Sequence, residues 1–264
     1  MTAINDVFLE PGPNRAKGIL VLGQSNALGR STRAEGTPWP EITQVGISGA
    51  MIWNDTALAG VGEWQIYEAG VNSYPIGSSA PWWGPEAALL YDLIEEENLD
   101  EVYCMKLAVD ASSLGPVGGS FNEWHPDRAE LYPWLMNHYI TRAAAALPSG
   151  IIFEEVYWVQ GETDATIASN ANNYLANLRR FRTKLRLDLG NPDLQFYISG
   201  LHRDYISTYQ METTIVRNNQ ISGALEDGMS AYLETFAYEV GPDRTHYTAS
   251  GYIGVGHGLY GIRL

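Results

Sequence analysis

Gly18-Ile19-Leu20-Val21-Leu22-Gly23-Gln24-Ser25-Asn26-Ala27-Leu28-Gly29 is the stretch whose reading decides the fold. Its first five residues form a short apolar run closed by glycine, the pattern of a strand buried on both faces. The glycine-flanked segment that follows predicts a tight turn into a helix. A strand turning directly into a helix opens a parallel α/β unit, and the same alternation recurs along the chain. Glu101 to Ala108, Phe153 to Val159, Leu194 to Ser199 and Ala231 to Thr235 read as further strands, with Val45-Gly46-Ile47 a weaker one.

Helical patterns lie between them. Gly84-Pro85-Glu86 opens one, with proline near the first helical position and a carboxylate in the first turn. Another covers roughly Ala129 to Leu147. A third starts near Ser169, places Tyr174, Leu178, Phe181 and Leu185 on one face, and stops at Gly190-Asn191-Pro192. The last two span Gln210 to Leu225 and the segment after Ala249. The expectation is one domain over residues 1–264, a three-layer α/β/α sandwich around a mainly parallel sheet of about five strands.

Composition narrows the function. The formal charge of −15, from 16 Lys+Arg against 31 Asp+Glu, disfavours nucleic acid and anionic membranes as partners. The single cysteine, Cys104, lies in an apolar run, which fits core packing and allows no intramolecular disulfide. Met1 to Pro13 lacks the basic segment and apolar run of a secretory signal, and no stretch reaches the length of a membrane helix. An extracellular, virion-associated or cytoplasmic location all stay open, as does the oligomeric state. No His/Cys cluster has metal-ligand spacing, and no phosphate loop or dinucleotide fingerprint is present, so neither metal nor cofactor is expected.

In a parallel sheet, ligands bind beyond the carboxyl ends of the strands. Three segments meet there. Ser25 lies on the first turn, where its hydroxyl is accessible and backbone amides can receive an oxyanion; the same turn also suits a plain helix cap. Trp158-Val159-Gln160-Gly161-Glu162-Thr163-Asp164 follows a strand, and the Gln160 amide is a workable oxyanion donor, with Thr163 or Asp164 as alternative caps of the next helix. Asp243-Arg244-Thr245-His246 sets a carboxylate three residues before a histidine, a spacing that can orient the imidazole of a general base. Of the other histidines, His138 and His257 fall in helices, while His125 and His202 fall in or beside loops as candidate substrate contacts.

Taken together, these three blocks resemble the SGNH (GDSL-like) hydrolases, in the branch of sialate O-acetylesterases and acetylxylan esterases. Members of that branch carry Gly-Gln-Ser-Asn after the first strand, Trp-x-Gln-Gly-Glu in mid-chain and a terminal Asp-x-x-His. The chain matches at Gly23–Asn26, Trp158–Glu162 and Asp243–His246, and is similar at Gly84-Pro85-Glu86 and Val216–Gln220. The resemblance implies a flavodoxin-like fold and a serine esterase that removes acetyl or other small acyl groups from a carbohydrate. It makes Ser25 the nucleophile, His246 the base and Asp243 its orienting carboxylate. Glu162 is the rival for the acid or a substrate contact. The oxyanion hole it implies comprises Ser25, Gln160 and a backbone amide at Asp110 or Ala111. At that last position the family has Gly-Gly-Thr, whereas this chain reads Ala108-Val109-Asp110-Ala111-Ser112-Ser113. A Cβ there opposes the conformations open to glycine, and a carboxylate beside the oxyanion opposes its charge.

Trp39, Trp53, Trp64, Trp82, Trp83 and Trp124 crowd these blocks, either as sugar-stacking surfaces or as packing between helix and sheet. The expected partner is an acetylated glycan. A non-catalytic carbohydrate-binding or structural module on the same fold is the alternative, and a lipid or thioester acyl hydrolase a weaker one.

Overall fold

A computed structural model of the chain describes residues 16–54, 62–73, 81–116, 122–202, 205 and 210–264. The N-terminal reading of Met1 to Pro13 lies outside them. Among the described residues the strands are β1 (Ala16–Gly23), β2 (Ala50–Asn54), β3 (Glu63–Ile66), β4 (Val102–Ala108), β5 (Ile151–Val159), β6 (Gln195–Ser199) and β7 (Ser230–Leu233). They form one seven-stranded sheet in the order β3-β2-β4-β1-β5-β6-β7, parallel throughout except for β3, which runs antiparallel to β2.

β1 occupies the centre because neither of its faces can meet water. Ile19 and Val21 pack with Cys104, Tyr157 and Val159 on one face, and Leu20 and Leu22 with Met105, Leu107 and Trp158 on the other. Two helical layers cover these faces. The helices are α1 (Ser25–Leu28), α2 (Pro40–Thr43), α3 (Glu86–Glu95), α4 (131–145), α5 (Ala168–Leu189), α6 (Gln210–Leu225) and α7 (Ala249–Gly261). α3 and α7 bury Leu89, Leu90, Tyr252 and Val255 against the Ile19 face. α4, α5 and α6 bury Leu135, Phe181 and Val216 against the Leu20 face. The interior of α4 widens into a π-helix over Leu135–Ile140, and the Thr141 hydroxyl donates to Met136 O at 2.8 Å.

The sheet has seven strands rather than about five, and the second is displaced from its expected place. Val45 is exposed, and β2 starts only after Gly49, whose φ of +87° turns the chain into the sheet. β3 escapes sequence reading because Glu63-Trp64-Gln65-Ile66 is a four-residue edge strand with no buried residue. It is held to β2 by the Trp53–Trp64 pair, with ring centroids 5.4 Å apart.

Candidate active site

β1, β4 and β5 end in register, with Gly23 paired to both Ala108 and Val159. The loops after these strands therefore leave the sheet side by side. Ser25 opens α1 just beyond β1 and is nearly buried. Two glycines make this turn sterically feasible. At Gly23 φ is +148°, and a Cβ would lie 2.0 Å from Val159 O. At Gly29 φ is +83°, and a Cβ would lie 2.1 Å from Trp83 O. Any side chain at either position would drive the Ser25 turn off the sheet.

The histidine loop precedes α7. His246 Nδ1 lies 2.7 Å from Asp243 Oδ2, while Asp243 Oδ1 accepts the N–H groups of Thr245 and His246 at 2.9 and 3.0 Å. Arg244, at φ +57°, makes the turn that folds the carboxylate back onto the ring. Burial pushes the Asp243 carboxyl up, but the two N–H groups and the imidazole outweigh it and hold it below the usual carboxylate range. An acid that stays ionised beside Nδ1 fixes the tautomer leaving Nε2 free to take a proton.

Glu162, the rival acid, has His246 within electrostatic reach but makes no hydrogen bond to its ring. Its Oε1 accepts from Asn26 Nδ2 at 2.5 Å, and its Oε2 is buried without a hydrogen-bond partner. Burial raises its pKa, opposed by the Asn26 hydrogen bond. Asp243, and not Glu162, makes the hydrogen bond to the His246 ring.

The amide of Gln160 is committed to the loops around it. Nε2 lies 3.1 Å from Ser112 O, 2.6 Å from Asp164 Oδ2 and 3.2 Å from Gln24 Oε1, while Oε1 accepts from the Tyr174 hydroxyl at 3.0 Å. Its two hydrogens face three acceptors, and so tie together the loops after β1, β4 and β5. Asp164 does not cap the next helix either. Its carboxylate accepts the N–H groups of Leu114 and Gly115, both at 2.8 Å, and so grips the loop after β4. Burial lifts its pKa to about 6 against those hydrogen bonds.

The chain departs from the family pattern at Asp110 and Ala111. Ala111 adopts φ +53°, the left-handed conformation that glycine favours, at a cost of about 1–2 kcal/mol. The Asp110 carboxylate turns to Arg30, 2.6 Å away. The N–H groups of Ser25, Asp110 and Ala111 make no backbone hydrogen bond among the described residues. Val109 N and the Ser112 hydroxyl both bond Gly23 O, at 3.2 and 3.3 Å, which draws this loop onto the Ser25 turn.

A cavity of about 720 Å³ adjoins His246 and Asp243, lined also by Arg30, Glu35, Trp39, Glu239 and Thr248. Arg30, Glu35 and Glu239 lie outside the three sequence blocks; the place of Arg30 directly after Gly29 is the available signal in the sequence. Trp39 lines the cavity, and Trp82 lies beneath the Arg30 guanidinium at 4.4 Å. Trp53, Trp83 and Trp124 are buried in the core, and Trp64 packs between Trp53 and Tyr103. His125 and His202 do not line this cavity; His202 is buried against Phe236 and Tyr247. His138 is exposed on α4, and His257 on α7 pairs with Asp92 at 2.6 Å. Among the described residues no group of three or more His, Cys, Asp or Glu could hold a metal ion, and no helix is long and apolar enough to cross a membrane.

A parallel sheet flanked by helices, with a serine turn after its central strand and an Asp-x-x-His loop before its last helix, defines a hydrolase of the SGNH/GDSL class. The chain belongs to the family described as carbohydrate esterase, sialic acid-specific acetylesterase, whose profile matches residues 16–261, and so to the carboxylic ester hydrolases. Solved structures share the fold at low identity. A protein from Arabidopsis thaliana is 18% identical with a TM-score of 0.71, over 94% of this chain and 97% of that one. NanS is 14% identical with a TM-score of 0.64, over 96% and 97%. A carbohydrate acetylesterase from Xanthomonas citri is 15% identical with a TM-score of 0.62, over 93% of this chain and 54% of that one. Comparison with curated proteins yields no match.

Proposed function

We propose that the chain removes O-acetyl groups from a carbohydrate through an acetyl-enzyme formed on Ser25. The observation that carries this reading is the His246–Asp243 pair at 2.7 Å, in a loop hydrogen-bonded on both sides of His246 by the residue next to Ser25. Ser25 Oγ attacks the acetyl carbonyl while His246 Nε2 takes its proton, and Asp243 stabilises the imidazolium. The N–H of Ser25, with that of Asp110 or Ala111, receives the oxyanion; Gln160 and Asp164 hold the loop that presents them. Collapse breaks the ester bond, and His246 returns the proton to the departing sugar oxygen. Water, deprotonated by His246, then attacks the acetyl-serine; collapse breaks the acyl–Oγ bond, His246 returns the proton to Ser25 Oγ, and acetate leaves.

The cavity beside His246 suits a sugar. Trp39 offers a flat apolar surface, and the carboxylates of Glu35 and Glu239 are acceptors for hydroxyl groups. The test is turnover of a chromogenic aryl acetate, followed by acetate release from acetylated xylan, sialic acids and bacterial capsule. Ser25→Ala should reduce turnover by at least about 10³-fold. Undiminished turnover in that variant overturns the proposal. Binding of acetylated glycan by a wild-type protein without turnover would return the alternative, a carbohydrate-binding module.

A further inference from the structure

Ser25 and His246 come from opposite ends of the chain, and one side chain touches the segments that carry both. We propose that Asn26 is a positioning residue that fixes the separation of Ser25 and His246, with Glu162 as the anchor that aims its amide. This inference rests on the esterase reading above. Asn26 is almost wholly buried, and its side chain is fully engaged. Nδ2 donates to Glu162 Oε1 at 2.5 Å and to Thr245 O at 2.9 Å. Oδ1 accepts from Tyr247 N at 3.3 Å and from the Tyr252 hydroxyl at 3.2 Å. Thr245 and Tyr247 are the two chain neighbours of His246, and Asn26 is the chain neighbour of Ser25. A single planar amide thus brackets the backbone of the base while its own backbone continues from the nucleophile.

Glu162 and two backbone groups together set which way that amide faces. Thr245 O can only accept and Tyr247 N can only donate, so Nδ2 points to Thr245 O and Glu162, and Oδ1 to Tyr247 N and Tyr252. Aspartate at position 26 would keep the shape and the Oδ1 contacts but set an acceptor against Glu162 and Thr245 O. The opposite flank of Ser25 is tied separately. Gln24 Oε1 accepts from Gln160 Nε2, Gly161 N and Thr163 N at 3.2–3.3 Å, which joins the turn to the loop after β5. Asn26 is therefore the element that registers the turn against the histidine loop.

The experiment measures kcat and KM on an aryl acetate, together with the rate at which a fluorophosphonate labels Ser25, which reads Ser–His pairing without turnover. Asn26→Asp should lower kcat and labelling about 100-fold with KM within about twofold, as expected for a misplacement near 1 Å. The double variant Asn26→Asp/Glu162→Gln, in which the new amide can donate to the new carboxylate, should recover about tenfold of that loss. A merely structural contact would not produce this recovery. Tyr252→Phe deletes one donor onto Oδ1 and keeps the assay informative if Asn26→Asp does not fold; its kcat and labelling rate should fall about fivefold at constant KM. A folded Asn26→Asp, or failing that a folded Tyr252→Phe, with kcat and labelling within twofold of wild type overturns the proposal. Wild-type protein that neither turns over the acetate nor labels at Ser25 fails the esterase reading itself, a different result.

Discussion

At the residue scale, the catalytic assignment rests on which carboxylate faces the imidazole. Asp243 does, and its hydrogen bonds hold its carboxyl below the usual carboxylate range. Because its side chain is half exposed, water competes for the imidazole. Asp243→Asn should therefore lower kcat by about 10²-fold, less than the roughly 10⁴ seen when a fully buried triad acid is replaced. Glu162→Gln should lower kcat less than Asp243→Asn does, since the amide oxygen can still accept from Asn26. The reverse ranking in steady-state kinetics would return Glu162 to the acid role. The Ser25 turn and the Asp243/His246 spacing were legible because each is local in sequence. The engagement of Gln160 was not, because its three acceptors come from Gln24, Ser112 and Asp164, and only the fold brings them together.

At the element scale, the loop after β4 is held by a charge from the loop after β5. The Asp164 carboxyl titrates near 6 in the folded protein, above an ordinary carboxylate. Between about pH 4 and 6 the folded state thus binds more protons than the unfolded state, so this group's contribution to stability falls as pH rises through that window. The stability of wild type minus that of Asp164→Asn, measured by urea unfolding, should drop by on the order of 3 kcal/mol from pH 4 to 7. A difference flat with pH would refute this account of the loop. β1, β4, β5, β6 and β7 could be read from their apolar runs because both faces are covered. β3 could not, because a four-residue edge strand with no buried residue needs little apolar sequence; β2 follows the turn at Gly49 rather than the Val45-Gly46-Ile47 run.

At the scale of the whole molecule, a buried ion pair joins the sheet to the Ser25 turn. Lys106 on β4 donates to Leu28 O and Ser73 O, both at 2.8 Å, and pairs with Glu86 of α3 at 2.7 Å. Burial lowers the Lys106 pKa, and Glu86 opposes that shift. Lys106→Met would strand the Glu86 charge and should destabilise the protein by about 3–5 kcal/mol. Lys106→Met/Glu86→Gln should recover most of it, and equal unfolding midpoints for the single and double variants would contradict the pairing. The Gly84-Pro85-Glu86 block was visible in sequence as a helix start, but its partner lies on another strand. The claim on which the rest depends is that Ser25 is the residue acylated. Peptide mass mapping after brief treatment with a fluorophosphonate tests it most directly. The account predicts one adduct per chain on the peptide bearing Ser25, lost in His246→Ala; an adduct elsewhere, or none, would contradict it.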